Sequence, residues 1–230
     1  MKRPTDAEVR RTYLHGPDGV RLVGHREYVG GLWDEVGRLQ LRFLRGRGLR
    51  RDHRVLDIGC GALRGGVHLV RYLDAGRYTG VDKEPALLRI GAEEELGPAL
   101  LAAKRPTLLA LSDFEFDRLT PTARPDIAWA HSLFTHLPME HIRRCLANLR
   151  PVMMRGGVLY ATFGECDAPK DNPTEPHDHR LFEYTPAEMT EAGRATGWRV
   201  EHLSKWGHPR GHRMLRFLPT PKRHTSRRTA

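Results

Sequence analysis

Apolar residues recur along the chain in two rhythms: short continuous runs, and stripes at spacings of three and four. Their alternation predicts a βαβ order. Val55, Leu56 and Ile58 predict a buried strand over 54–58, and Val67, Leu69, Val70 and Leu73 predict an amphipathic helix over 65–74 behind it. A second strand is expected over 77–82, and Pro85 suits the first turn of a helix over 85–95, with Gly97-Pro98 read as a turn. Strands over 106–111 and 125–130 follow, then a helix from Pro138 with Met139, Ile142, Leu146 and Leu149 on its apolar face. A fifth strand over 158–163, a short helix over 186–195, and strands over 198–206 and 212–218 complete the order. The last two strands are near enough in sequence to pair as an antiparallel hairpin. Upstream, Leu32, Trp33, Val36, Leu39, Phe43 and Leu44 form a stripe that predicts a helix over 29–46, and His15-Gly16-Pro17-Asp18-Gly19 reads as a turn. The longest non-periodic stretch, 164–185, is polar and proline-rich, and a loop of that length after a strand suits a lid or substrate loop.

Gly59, Gly61, Gly65 and Gly66 lie between the first strand and its helix. That strand–turn–helix order reads as a nucleotide-type cofactor site in an open α/β sheet. The turn has no Gly-Lys-Ser/Thr phosphate loop, and Arg64 stands where a dinucleotide fingerprint needs its third glycine. A ligand without a pyrophosphate fits that departure. Asp82 ends the second strand, where a carboxylate can accept both ribose hydroxyls.

The bulk numbers narrow the partners. The 230 residues carry a formal net charge of +10, which invites a polyanion. Only six of the 38 basic residues are Lys, the arginines are scattered among acids, and the clear cluster is Lys222-Arg223-His224 with Arg227-Arg228 near the C-terminus. This favours a solvated basic surface over a nucleic-acid footprint. No stretch is long and apolar enough to span a membrane. Three separated cysteines, Cys60, Cys145 and Cys166, suggest neither a disulfide framework nor a thiolate metal site, in keeping with a reducing, cytoplasmic setting. The expected division is an N-terminal cap and helix over 1–50, a catalytic domain over 51–218, and a basic, disordered tail over 219–230.

The ordered motifs Val55-Leu56-Asp57-Ile58-Gly59-Cys60-Gly61, Gly80-Val81-Asp82, Ser112-Asp113-Phe114, Ser132-Leu133-Phe134-Thr135-His136-Leu137 and Gly156-Gly157-Val158-Leu159 resemble those of the class I S-adenosylmethionine-dependent methyltransferases, small-molecule type. The resemblance covers roughly 30–218. It implies a doubly wound, Rossmann-like seven-stranded sheet with an antiparallel last strand and helices on both faces. It also implies S-adenosylmethionine as cofactor. In that reading Asp57 organises the methionine end, Gly59 and Gly61 let the backbone approach, Asp82 holds the ribose and Lys83 flanks the adenosine. Asp113 accepts from the adenine amino group beside Phe114, and His131 and Ser132 lie where methyl group and acceptor meet. Arg64 is open to the methionine carboxylate, the substrate or solvent.

An oxygen or nitrogen acceptor gains from a nearby base, and the candidates are His131, His136, His177 and His179, with Glu165 after strand five as a helper or cation binder. Tyr28 and Trp33 are expected to close over the pocket from the cap. His177-Asp178-His179, with His208 or His212, has the residue types of a metal set, but two histidines with one acid are a weak signal and no metal is assigned. The expected function is methyl transfer to O or N, or to C, of a small molecule, by a monomer or homodimer. The alternatives are an RNA or protein methyltransferase and a non-catalytic protein that binds the cofactor.

Overall fold

A computed structural model of the chain describes residues 15–120, 124–203 and 206–221. Seven strands form one mixed sheet: β1 (Val55–Ile58), β2 (Tyr78–Asp82), β3 (Thr107–Ala110), β4 (Ile127–Ala130), β5 (Val158–Glu165), β7 (Trp198–Leu203) and β8 (Arg213–Pro219). A two-residue strand, β6 (Glu183–Tyr184), pairs with the end of β5. The order is β3-β2-β1-β4-β5-β8-β7. β1 to β5 are parallel where they pair, and β8 runs antiparallel to both β5 and β7. The order reverses at β1, which pairs with β2 on one side and β4 on the other; ligands bind at such a point, outside the carboxyl ends of the strands.

Both faces of the sheet are buried, and alternate residues feed two cores. Leu56, Ile58, Ala128, Ala130, Leu159, Ala161, Leu215 and Phe217 face one core. Helices α7 (Met139–Leu149) and α8 (Pro186–Ala195) cover it through Ile142, Cys145, Leu146, Leu149 and Met189. Val55, Ile127, Trp129, Tyr160 and Met214 face the other, where α3 (Trp33–Gly46) supplies Leu44 and α4 (Gly66–Tyr72) supplies Val67, Leu69 and Val70. A small third cluster, Val20, Tyr28, Ala62 and Leu87, seats the N-terminal helices α1 (Gly16–Val23) and α2 (His25–Tyr28) on the glycine turn and on α5 (Pro85–Ile90).

Several expected boundaries move, each for a local reason. The turn expected at His15–Gly19 is instead the start of α1, because Pro17 occupies its first turn and lacks an N–H that the helix end would leave unpaired. The helix expected from residue 29 begins at Trp33, since Gly30, Gly31 and Leu32 all have positive φ. At the turn expected at Gly97-Pro98, Gly97 leaves the helical backbone with φ of +71° and a new helix starts at once. α5 passes through one π turn (Gly91–Leu96) into α6 (Gly97–Lys104), with Pro98 in the first turn of the new segment. The strand expected over 198–206 is seen over Trp198–Leu203, with 204–205 outside the described residues, and β5 extends two residues further than expected, to Glu165. β8 runs through Pro219, and the Thr220 amide donates to Gly197 O. The basic cluster from Lys222 lies outside the described residues. All three cysteines are buried and free.

Candidate active site

The carboxyl ends of β1, β2 and β4 open into a cavity of about 640 Å³, within the range of small-molecule sites. The glycine turn forms its floor. Gly59 and Gly61 have φ of +70° and +54°, a left-handed backbone that a side chain disfavours. A Cβ on Gly59 would stand 3.0 Å from Leu133 Cδ1, and one on Gly61 the same distance from Val29 Cγ1.

Asp82 closes the turn from β2. Its Oδ2 accepts from the Gly61 amide at 2.8 Å and its Oδ1 from the Glu84 amide at 2.9 Å. Burial raises its pKa against these two bonds. Each carboxylate oxygen keeps acceptor capacity for a further donor. Asp57 lies behind the turn, buried, and accepts from Tyr78 Oη at 2.7 Å. Burial pushes its carboxyl up to about 7, with Tyr78 pulling the other way and Asp82 adding repulsion.

The lid loop crosses the mouth through Asp178. Lys83 Nζ lies 2.6 Å from Asp178 Oδ1, while Tyr28 Oη donates to Oδ2 at 2.7 Å and His15 Nδ1 stands 3.4 Å from Oδ2. Burial alone would raise the Asp178 pKa; the bonds from Lys83 and Tyr28 outweigh it and hold the carboxyl well below its ordinary range. Asp178 thus joins lid, cap and β2 at one carboxylate, a role that its place between two histidines did not suggest.

Past β4 the site turns basic. His131 is buried, its Nε2 has no hydrogen-bond partner among the described residues, and its ring stacks on Trp129 at 15°. Trp129 is itself fixed, since its Nε1 donates to Gln40 Oε1 at 2.7 Å. Burial, then the Arg64 charge, push the His131 pKa far down. Ser132 has φ of +55°; its amide donates to Thr162 Oγ1 at 2.7 Å, and its Oγ is 3.4 Å from His212 Nδ1. Burial also lowers the pKa of His136, whose Nδ1 faces Arg180 O at 2.9 Å.

Among the expected residues, Asp57, Gly59, Gly61, Asp82, Lys83, Phe114, His131, Ser132, His136 and His179 line this cavity, as do Tyr28, Arg64 and His177. Three do not. Asp113 turns to Arg144 of α7 at 2.6 Å, leaving Ser112 and Phe114 at the wall. Glu165 faces Arg213 of β8 at 3.4 Å. Trp33 packs edge-on to His25 under Arg26. The histidines weighed as one metal set divide into two groups: His177 and His179 meet His15, whereas His208 and His212 meet His131. Among the described residues no group of three His, Cys, Asp or Glu is placed to hold a metal ion. Arg210, His141 and Gln40 also line the cavity and carried no sequence signal of their own.

A parallel sheet with one reversed strand, a glycine turn at its switch point and an acid ending β2 define a class, and the comparisons give it a name. Residues 56–159 match the model of a methyltransferase domain. The chain has the fold of the class I S-adenosylmethionine-dependent methyltransferases. Among similar solved structures is the magnesium protoporphyrin IX methyltransferase of Synechocystis PCC 6803 with bound SAM, 17% identical, covering 95% of this chain and 99% of that one at a TM-score of 0.61. A second is the CcbJ methyltransferase of Streptomyces caelestis, 16% identical, covering 80% and 90% at 0.61. A third is human N-acetylserotonin methyltransferase in complex with SAM, 14% identical, covering 88% of this chain but 58% of that one, at 0.62. At these identities the likeness speaks for the fold. No helix among the described residues is long and apolar enough to cross a membrane.

Proposed function

We propose that this protein transfers the methyl group of S-adenosylmethionine to an oxygen or nitrogen atom of a small molecule bound beneath the lid. The observation that carries this reading is that the glycine turn of β1 and the carboxylate of Asp82 face the same cavity as His131 and the lid residues. The chain's residues fit the cofactor: a left-handed turn brings bare backbone to the cavity floor, and Asp82 keeps acceptor capacity for two hydroxyls. In this reading Gly59 and Gly61 seat the ligand, Asp82 holds the ribose, Lys83 flanks the adenosine and Asp57 steadies the turn at the methionine end. Phe114 and Ser112 wall the base, and any contact from residue 113 comes through its backbone, since its carboxylate is engaged by Arg144.

When bound, the sulfonium supplies an already activated methyl group, so the protein's task is alignment and exclusion of water. Tyr28, Lys83 and His15 on Asp178 hold the lid across the mouth. His131 lines the cavity as a neutral imidazole whose buried Nε2 has no hydrogen-bond partner among the described residues, which leaves it able to accept a proton from an acceptor brought against it. His179 and His136 line the same space from the lid side.

Thermal unfolding with and without S-adenosylhomocysteine tests the reading. A ligand at a hundredfold excess over its Kd adds about 2.7 kcal/mol, which for a chain of this size raises Tm by roughly 5–10 °C. No shift at millimolar ligand would remove the cofactor from the account.

A further inference from the structure

Arg64 is a buried cation that no acid pairs among the described residues. It leaves the glycine turn just before α4, is 8% exposed, and donates through Nη1 to Gly31 O at 2.8 Å. Arg210, at the cavity rim in the β7–β8 connection, donates through Nη2 to Gly30 O. The two guanidinium groups converge on one stretch of backbone: a Cβ placed on Gly30 would stand 2.9 Å from Arg210 Nη1 and 3.8 Å from Arg64 Nη1. Both line the cavity, and neither forms an ion pair among the described residues. Burial and repulsion from Arg210 bring Arg64 down to about 10, so it remains a cation at neutral pH. Two neighbouring cations, one of them buried, are stabilised by an anion that the cavity itself admits.

Three imidazoles stand beside the pair. His208 and His212 stack with centroids 4.2 Å apart, and His131 lies 5.1 Å from His208. Burial, then the charge of Arg64 and Arg210, bring His208 down to about 4; burial, then the neighbouring His208, bring His212 to about 3. Glu27 lines the same cavity beside Gly31, but the charge felt by Arg64 is that of Arg210.

We propose that Arg64 and Arg210 form a carboxylate-binding site for the methyl acceptor, a planar acid whose body lies against His131 and His212. The proposal rests on the methyl-transfer reading and names the acceptor's class. Two guanidinium forks have donors to spare after serving one carbonyl each, and a carboxylate matches their geometry. The competing occupant is the methionine carboxylate of the cofactor.

Calorimetric titration separates the two. Benzoate and benzamide are titrated into wild type with and without saturating S-adenosylhomocysteine, and into Arg210→Gln. The site predicts that the loaded protein binds benzoate at least tenfold tighter than benzamide. Arg210→Gln loses at least tenfold in benzoate affinity while S-adenosylhomocysteine affinity stays within twofold, and Arg210→Lys recovers part of the loss. Equal binding of benzoate and benzamide overturns the proposal. So does an Arg210→Gln variant that weakens S-adenosylhomocysteine as much as benzoate, since that gives the arginines to the cofactor. Benzoate binding without S-adenosylhomocysteine binding would sink the cofactor reading and leave the anion site standing.

Discussion

At one end of the cavity three carboxylates, Asp57, Asp82 and Asp178, each accept hydrogen bonds from fixed neighbours. At the other end Arg64, Arg210 and three imidazoles stand together, and neither guanidinium is paired with an acid among the described residues. The acidic end is largely local. Asp57 lies in β1 and Asp82 ends the neighbouring parallel strand β2, and the amides that hold Asp82 belong to its own turn and to the glycine turn beside it. The basic end is assembled from the glycine turn, the end of β4 and the β7–β8 connection, segments joined only by the tertiary fold. On the proposed reading the two ends divide the work: the strand ends hold the nucleoside, and the long-range end holds the charge of an acidic acceptor.

Four changes break or sharpen that contrast, in descending order of effect. Asp82→Ala removes the acceptor for two hydroxyls, and S-adenosylhomocysteine affinity by calorimetry is expected to fall about 100-fold, or about 2.7 kcal/mol. Asp178→Ala releases Tyr28, Lys83 and His15 together; at about 1–2 kcal/mol for the lost bonds, hydrogen exchange at the Tyr28 and Val29 amides should speed up roughly tenfold.

The third is a pair of opposite pH slopes. His208 and His212 are depressed to about 4 and 3, so below about pH 6.5 the unfolded chain binds protons that the folded chain refuses. Their contribution is therefore lost as pH falls from about 6.5 toward 4. Asp57 is raised to about 7, so between about pH 4 and 7 the folded chain holds a proton that the unfolded chain has released, and stability falls as pH rises through that window. The double variant His208→Gln/His212→Gln should lessen the drop in Tm between pH 7 and 5, whereas Asp57→Asn should deepen it. The smallest effect is expected at Glu165→Gln: with the carboxylate turned to Arg213, outside the cavity wall, turnover should change by less than about twofold, near the size of an exposed ion pair.

The strands and the glycine turn were legible because their signals are local: short continuous apolar runs, closely spaced glycines and an acid ending β2. Asp113 and Glu165 stay off the cavity wall for a shared reason. Each sits at the expected place on the chain, but its side chain is turned by a partner from a distant element, Arg144 of α7 and Arg213 of β8. Trp33 stays off it too, because the glycines before it end α2 and turn the ring toward His25. Arg210 and His212 carry no motif of their own, but the topology places them. A reversed last strand that pairs with β5 must begin at the carboxyl end of the sheet, as the Phe163–Arg213 register shows. The connection before it is therefore delivered to the mouth of the site. Nothing local to Asp178 marks it as the latch, since its partners lie 95, 150 and 163 residues away in the chain.

The central claim is that the glycine turn and Asp82 seat a nucleoside without a pyrophosphate. Parallel calorimetric titrations of the wild-type chain with S-adenosylmethionine and with NAD⁺ test it most directly. The account predicts one-to-one binding of S-adenosylmethionine and no heat from NAD⁺; NAD⁺ binding with S-adenosylmethionine silent, or no binding of either, would contradict it.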